Sequence, residues 1–163
     1  MDAAELLRSQ ATMADRLMTQ IIGPVTPEQA RWHPADSAAN PIAKTYLHVY
    51  ISQDRLVHRL QGQPPLLEQG WHEKLGFNPD QPWYQQPVPE LDTARAYAAE
   101  VQQATMPFLF VLPDELFTRE LDMPFGRVTA MSALATLLVT HKMMHGGEIA
   151  GLLGVQGVKG LPF

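Results

Sequence analysis

Apolar residues recur at intervals close to 3.6 along four long stretches of the chain, a pattern typical of amphipathic helices. The stretches predict a first helix over residues 3–22, a second from 41 to about 61, a third from about 90, and a fourth over about 130–153. Pro107 predicts a kink or a break in the third helix, because proline lacks the backbone N–H that a helix interior needs.

Residues that favour helix ends stand at the borders of these stretches. Side chains able to cap a helix N-terminus occur at four positions, Asp2, Thr26, Asn40 and Thr129. The second of these belongs to a short helix, where Gln29 completes a capping box and the proline after His33 forces an end. Gly62 and Gly154 are suited to end the second and fourth long helices.

Four amphipathic helices with few strand signals predict an all-α protein built as a four-helix bundle. The exception is residues 121–128, which we expect to be extended, with a turn at 124–126. A length of 163 residues predicts a single domain over residues 1–163. The long connection between the second and third helices leaves both a parallel and an antiparallel arrangement of these two helices open.

That connection, residues 63–88, is rich in proline and aromatic residues. A connection of this length is uncommon inside a compact domain. One hypothesis makes it a lid or a wall of a substrate site. The other makes it a cover for the bundle or for a partner subunit.

Composition and charge exclude several classes of protein. The net charge is -5 and the lysines and arginines are scattered, so we expect no nucleic-acid partner. No apolar run approaches the roughly 18 residues of a membrane span, and no signal peptide is evident, so we expect no membrane partner. Cysteine is absent, which excludes disulfides, thiolate ligands and a cysteine nucleophile and fits a cytoplasmic protein.

Two histidines four residues apart, His141 and His145, lie on one face of the predicted fourth helix. The apolar stripe of that helix leads into them, so both are expected to face inward. A buried imidazole needs a partner, and the spacing leaves a metal ion, a carboxylate and a backbone carbonyl open. The zincin motif is excluded because Lys142 occupies the place of its glutamate. A surface or hydrogen-bonded role is expected for three other histidines: His33, His58 and His72.

Four segments along nearly the whole chain carry a resemblance to a known family. They are WHPADSAANPIA at residues 32–43, LH at 47–48 followed by QD at 53–54, MPFGRVT at 123–129, and HKMMHGGEI at 141–149. As an ordered set they resemble the DinB/YfiT-like superfamily of metal-dependent hydrolases and thiol transferases.

The resemblance implies a DinB-like bundle in an up-down-down-up arrangement. It also implies a divalent metal, nickel or zinc, bound by His48, His141 and His145 at about 2.0–2.2 Å. His48 enters through the resemblance, because the apolar pattern puts it on a flank of the second helix. The chain departs from many members at Gln53, where they are acidic, and after the last histidine, where they have Arg-Gly-Gln. Glu148 can orient a histidine, or it can face solvent or a subunit contact.

Characterised members use a low-molecular-weight thiol such as bacillithiol or mycothiol. The resemblance therefore implies a metal-dependent thiol S-transferase or hydrolase that acts on a small-molecule substrate, with the thiol supplied from outside. The alternative is a non-catalytic helical bundle that binds a metal or a small ligand and has a stress-related role. Members are commonly homodimers, and the apolar stripes and the aromatic loop predict a homodimer formed through helix faces.

Overall fold

The computed structural model describes residues 2–163, which form four long helices, several short ones and one β-hairpin. The elements are α1 (Ala3–Ile22), α2 (Pro27–Arg31), α3 (Ile42–Gln61), α4 (Trp71–Lys74), α5 (Leu91–Phe110), α6 (Asp114–Thr118), β1 (Glu120–Met123), β2 (Gly126–Thr129), α7 (Ala130–Ala135) and α8 (His141–Val155), with 3-10 turns at Leu66–Glu68 and Trp83–Gln85 and a π turn at Thr136–Thr140. The predicted all-α bundle is confirmed, while its up-down-down-up order stays a prediction. Within residues 2–163, none of the helices combines the length and the apolarity needed to cross a bilayer.

The helix starts follow the capping signals, with one exception. Asp2 and Glu5 form a reciprocal capping box at α1, and Thr26 forms one with Gln29 at α2. The predicted cap at Asn40 is wrong, because α3 begins one residue later and Pro41 stands at its cap position without a side-chain hydrogen bond. At the other end of α3, the predicted left-handed residue Gly62 is confirmed, with φ at 71°.

The third helix passes through its proline, so the predicted break is wrong. α5 continues from Leu91 to Phe110 with Pro107 inside it. Proline deprives the carbonyl four residues earlier, that of Gln103, of its helical donor. Both residues are exposed, so water can satisfy that carbonyl and the helix continues.

Residues 121–128 are extended, as predicted. β1 and β2 pair antiparallel across a two-residue turn at residues 124–125, with Met123 opposite Gly126. Leu121 turns inward from β1 and is buried. The hairpin leads directly into α7, which Thr129 caps by accepting a hydrogen bond from the backbone N–H of Ser132.

α3 lies at the centre of the bundle, between α5 and α8, and α1 packs on α8. Nearly all of α3 is therefore buried, as its several apolar faces predict. The residues of α3 that stay open are His48, Ser52, Arg55, Arg59 and, at its end, Gln61. The first four recur every three or four residues and so share one face, which we call the open stripe of α3. His48 is on a flank of the apolar pattern because this stripe is where the helix meets solvent.

The π turn at Thr136–Thr140 shifts the inward face of the fourth helical stretch by one residue. An uninterrupted α-helix would place residues 141, 145, 148 and 152 beneath Leu134. After the wider turn, the buried positions include Lys142, Gly146, Ile149 and Leu153, while Leu152 also stays buried. The expectation that both histidines continue the inward face is therefore wrong. They lie at the edge of the core, each only partly buried.

Lys142 occupies the core position that the shift creates. Its side chain is 2% exposed, and its ammonium donates to Asp15 Oδ1 of α1 at 3.1 Å. The same ammonium lies 4.6 Å from the centre of the Tyr50 ring. Burial lowers the pKa of Lys142, while Asp15 acts in the opposite direction. A paired lysine thus ties α8 to α1 behind the histidines.

Candidate metal centre

Three histidines from two helices converge at the edge of the bundle. His48 comes from the open stripe of α3, and His141 and His145 come from the first turns of α8. The Nε2 atom of His141 lies 3.1 Å from Nε2 of His48 and 3.1 Å from Nε2 of His145. One ring nitrogen of each histidine falls within 4.8 Å of the other two. The sequence predicted this convergence from spacing for the α8 pair and from resemblance for His48.

The two helices present these side chains for different local reasons. His48 faces outward because every other face of α3 is covered. His141 directly follows the π turn, which rotates α8 so that its histidines face His48 on α3. Short π segments inside helices frequently occur at functional sites.

The hydrogen bonding of the group is incomplete without a ligand. A ring nitrogen carries either one proton or one lone pair, so Nε2 of His141 cannot satisfy both neighbouring nitrogens. Nδ1 of the same ring is buried and has no hydrogen-bond partner among residues 2–163. Burial, followed by the neighbouring His145 and His48, lowers the pKa of His141 to about 4. Burial and then His145 also lower the pKa of His48. These two imidazoles are thus neutral at neutral pH and have lone pairs available.

Glu148 fixes the orientation of one of the three rings. Its Oε2 lies 2.7 Å from Nδ1 of His145, and its Oε1 accepts a 3.4 Å hydrogen bond from Thr45 Oγ1. A carboxylate on Nδ1 favours the tautomer that carries its proton there, which leaves Nε2 free to bind a metal. Glu148 was expected either to orient a histidine or to face solvent or another subunit. It contacts His145, as the first role requires, and its side chain is also 38% exposed.

These residues fit a divalent metal ion. Two imidazole nitrogens on one metal at ordinary bond lengths lie roughly 2.9–3.4 Å apart, and two of the three Nε2 separations fall in that range. A metal would also resolve the conflict at Nε2 of His141, since a lone pair and no proton is what a metal needs. Imidazole donors suit zinc and nickel.

Two clefts open beside His48. The loop cleft, about 350 Å³, lies between α3 and the long connection and includes Ile51, Phe77 and Trp83. The hairpin cleft, about 400 Å³, lies between α3 and the β1–β2 turn and includes His141 and Phe125. His48, Ser52 and Arg55 line both clefts. A ligand at the histidines can therefore extend in either direction.

The connection over residues 63–88 both covers the bundle and forms a wall of the site. Leu67, Trp71, Leu75 and Phe77 are buried in the core. Trp83 packs against His48 with ring centres 5.6 Å apart. Each of the two hypotheses for this segment thus describes part of it.

Side chains of α3 hold that wall at both ends. Asp54 accepts hydrogen bonds from the backbone N–H groups of Leu66 and Leu67, each at 2.9 Å. Lys44 donates to the carbonyls of Tyr84 and Gln86. The helix that supplies His48 therefore also positions the wall that flanks it.

The other histidines lie apart from this group, as predicted. His58 is buried and its Nδ1 lies 2.8 Å from Asp54 Oδ1. His33 is exposed and contacts the carbonyl of Pro34, and His72 lines the loop cleft. Gln53, where many family members have an acidic residue, also lies outside the histidine group. Its amide donates to Gln102 and Thr105 of α5.

The roles of several residues around the site were not predicted from the sequence. Arg55 follows His48 by seven residues and so shares its helix face, a signal that was present but not used. Trp83 could be placed in the aromatic loop, yet nothing local indicates that it reaches His48. Asp54 stands four residues before His58, a spacing that permits a side-chain pair on one helix.

Comparison with known proteins identifies the family and a shared fold. The sequence profile of the DinB superfamily matches residues 10–149. A crystal structure described as the conserved protein of a locus from Enterococcus faecalis superposes with a TM-score of 0.78 at 20% identity, covering 96% of this chain and 99% of that one. That likeness shows the shared fold alone. No curated protein matches the chain. Because the profile spans most of the sequence, the chain belongs to the DinB superfamily.

Proposed function

We propose that this protein is a metal-dependent enzyme in which His48, His141 and His145 bind a divalent metal, nickel or zinc. The observation that carries the proposal is the meeting of three imidazole Nε2 atoms beside two open clefts. A divalent metal with three protein ligands keeps a position for water or a thiol and makes that group more acidic. The reaction we infer is transfer of a low-molecular-weight thiol to a small electrophile, or the related hydrolysis.

The protein's own residues would bind the metal, orient its ligands and enclose part of the site. The three histidines supply neutral donors, and Glu148 keeps His145 in the tautomer that exposes Nε2. Trp83 and the connection around it would form a wall of the site on one side of His48. The chain has no cysteine, so a thiol must enter as a separate molecule, for which the clefts offer room.

A non-catalytic metal-binding bundle is the alternative, and two observations weigh against it. Among residues 2–163, the residues that can share a metal are three histidines. A closed structural site would need a fourth protein ligand, and neither a carboxylate nor another histidine joins this group. The clefts beside His48 are also large enough for small molecules. Both features are expected of a site that exchanges a ligand.

Metal analysis followed by an activity screen tests the proposal. The protein, purified without a metal-chelating tag, is loaded with nickel or zinc and its metal content is measured by plasma mass spectrometry. We expect one metal per chain. Loaded protein is then incubated with bacillithiol, mycothiol or glutathione and a set of electrophiles, and S-conjugates are identified by mass spectrometry.

The matched control in both steps is His48→Ala. Conjugates formed by the loaded protein and not by the variant would support the enzyme. Failure of the histidines to take up metal would overturn the metal site. Stoichiometric metal with no conjugate or hydrolysis product above the variant would favour the non-catalytic alternative.

We also propose that the protein is a cytoplasmic homodimer formed through helix faces. Met143, Met144 and Val155 project from α8 and are exposed in the single chain, which supports a covered face in an assembly. Light scattering at tens of micromolar protein measures the mass directly, and a monomeric mass would contradict the proposal.

A further inference from the structure

Arg55 is a cation without a partner beside the histidines. It lies on the open stripe of α3, and it lines both clefts together with His48 and Ser52. Its guanidinium makes no hydrogen bond or ion pair with any of residues 2–163. Arg59, one turn further along the same stripe, differs, since it donates to the carbonyl of Asp122 in the hairpin. The open stripe does not by itself leave an arginine without a partner, so the free donors are specific to Arg55.

The lining of the two clefts carries positive charge and no negative charge. Among the described residues, neither cleft is lined by an aspartate or a glutamate. The chain as a whole has more acidic than basic residues, with a net charge of -5. Two arginines in acid-free clefts of an acidic protein favour a ligand with a negative charge.

The hairpin cleft supplies an apolar surface next to that charge. Leu56 and Leu137 line its floor, and Met123, Pro124 and Phe125 of the hairpin line its wall. Phe125 is 52% exposed at the tip of the turn, although large apolar side chains usually find cover. A ligand with an apolar body would cover this ring.

We propose that Arg55 determines substrate specificity by binding the carboxylate of a small molecule whose apolar body lies in the hairpin cleft. The planar fork of a guanidinium matches a carboxylate with two parallel N–H···O bonds. This arrangement would hold the rest of the molecule against the histidines, because His48 and His141 line the same cleft. The inference rests on the proposed function for its role in turnover, but the binding itself does not require a metal.

A matched pair of probes tests the proposal. They are 4-phenylbutyrate and its neutral counterpart 4-phenylbutanamide, whose binding is measured by calorimetry and NMR titration. Wild-type protein is compared with Arg55→Gln and Arg55→Lys. Arg16→Gln is the control, because Arg16 is an exposed arginine that lines neither cleft. Each protein is measured free of metal and loaded with nickel.

We expect metal-free wild type to bind the acid about fivefold to tenfold more tightly than the amide. Arg55→Gln should remove that difference and leave amide binding unchanged, Arg55→Lys should keep part of it, and Arg16→Gln should change nothing. Nickel affinity should be the same in all four proteins.

Equal binding of acid and amide, no binding of the acid at millimolar concentration, or an unchanged Arg55→Gln would each overturn the proposal. So would a preference for the acid that needs nickel and survives Arg55→Gln, because the carboxylate would then bind the metal. If nickel does not bind at the histidines while the Arg55 effect remains, the proposed metal function fails and the specificity site stands.

Discussion

Asp54 and His48 lie one to two turns apart on α3, and each belongs to a cluster of polar side chains. The two clusters differ in how many of their hydrogen-bonding atoms have partners in the folded chain. Asp54 is fully buried and its carboxylate accepts from Leu66 N, Leu67 N and Tyr97 Oη and contacts Nδ1 of His58. Nε2 of His141, in contrast, lies 3.1 Å from Nε2 of both His48 and His145, and its single proton or lone pair cannot satisfy both neighbours. The first group is complete in the folded chain and the second is not.

The difference separates a structural polar group from a site that binds a ligand. A buried carboxylate is tolerated when donors surround it, and Asp54 uses its donors to fix the start of the long connection. An unfinished group costs stability and leaves polar atoms available to something outside the chain. The comparison predicts that changes to the Asp54 group affect stability, whereas changes to the histidine group affect metal binding.

The largest effect is expected for Asp54→Ala. Removing the carboxylate leaves two buried backbone N–H groups, the Tyr97 hydroxyl and His58 without their acceptor. We expect the free energy of unfolding to fall by about 3–5 kcal/mol, measured by urea denaturation. Glu120→Ala is the control, because its ion pair with Arg127 is exposed and worth at most about 1 kcal/mol. Similar losses for both variants would contradict a structural role for Asp54.

His48→Ala should show the opposite behaviour. Loss of one of three ligands should weaken nickel or zinc binding by about 100-fold or more. The free energy of unfolding of the metal-free protein should change by less than about 1 kcal/mol, since the side chain lies on the open stripe. His58→Ala is the matched control on the same helix. It should lower stability by about 1–3 kcal/mol and leave metal affinity unchanged.

A smaller effect is expected for Glu148→Gln. The amide keeps the shape of the side chain but removes the charge that holds the proton on Nδ1 of His145. Metal affinity should fall about 10-fold to 100-fold, less than for loss of a ligand, as measured by competition with a chelator of known affinity. A full loss equal to that of His48→Ala would mean that Glu148 itself binds the metal.

The smallest effect concerns the pH dependence of the metal-free protein. The pKa of His141 is lowered to about 4 in the fold by burial and by its two neighbours, against about 6.5 in the unfolded chain. Between these values the unfolded state binds more protons, so stability falls as the pH is lowered from 6.5 towards 4 and is fully present above 6.5. From pH 7 to pH 5, wild type should lose about 1 kcal/mol more than His141→Ala in urea denaturation. Parallel losses would show that the imidazole is not protected from protonation.

The sequence predicted those parts of the fold that local rules determine. Apolar periodicity located the long helices, and the capping side chains of Asp2 and Thr129 located two of their starts. The site was predicted less completely, because His48 was identified only by resemblance to a family. Its helix is buried on nearly every side, so a hydrophobic stripe alone could not indicate which face stays open.

The parts that were missed depend on contacts between distant residues or on small backbone changes. The π turn at Thr136–Thr140 consists of residues that fit an ordinary α-helix. The local sequence therefore does not predict that the inward face of the fourth helical stretch shifts by one residue. The cluster around Asp54 joins α3 to Tyr97 and to residues 66–67, which only the folded chain brings together. The same holds for Trp83 against His48.

The central claim is that the unfinished histidine group is completed by a metal. Crystals of the nickel-loaded or zinc-loaded protein, measured on both sides of the metal's absorption edge, test it most directly. We predict one strong anomalous peak per chain, at about 2.0–2.2 Å from the Nε2 atoms of His48, His141 and His145. A peak elsewhere in the protein, or a loaded crystal in which His48 turns away from the other two histidines, would contradict it.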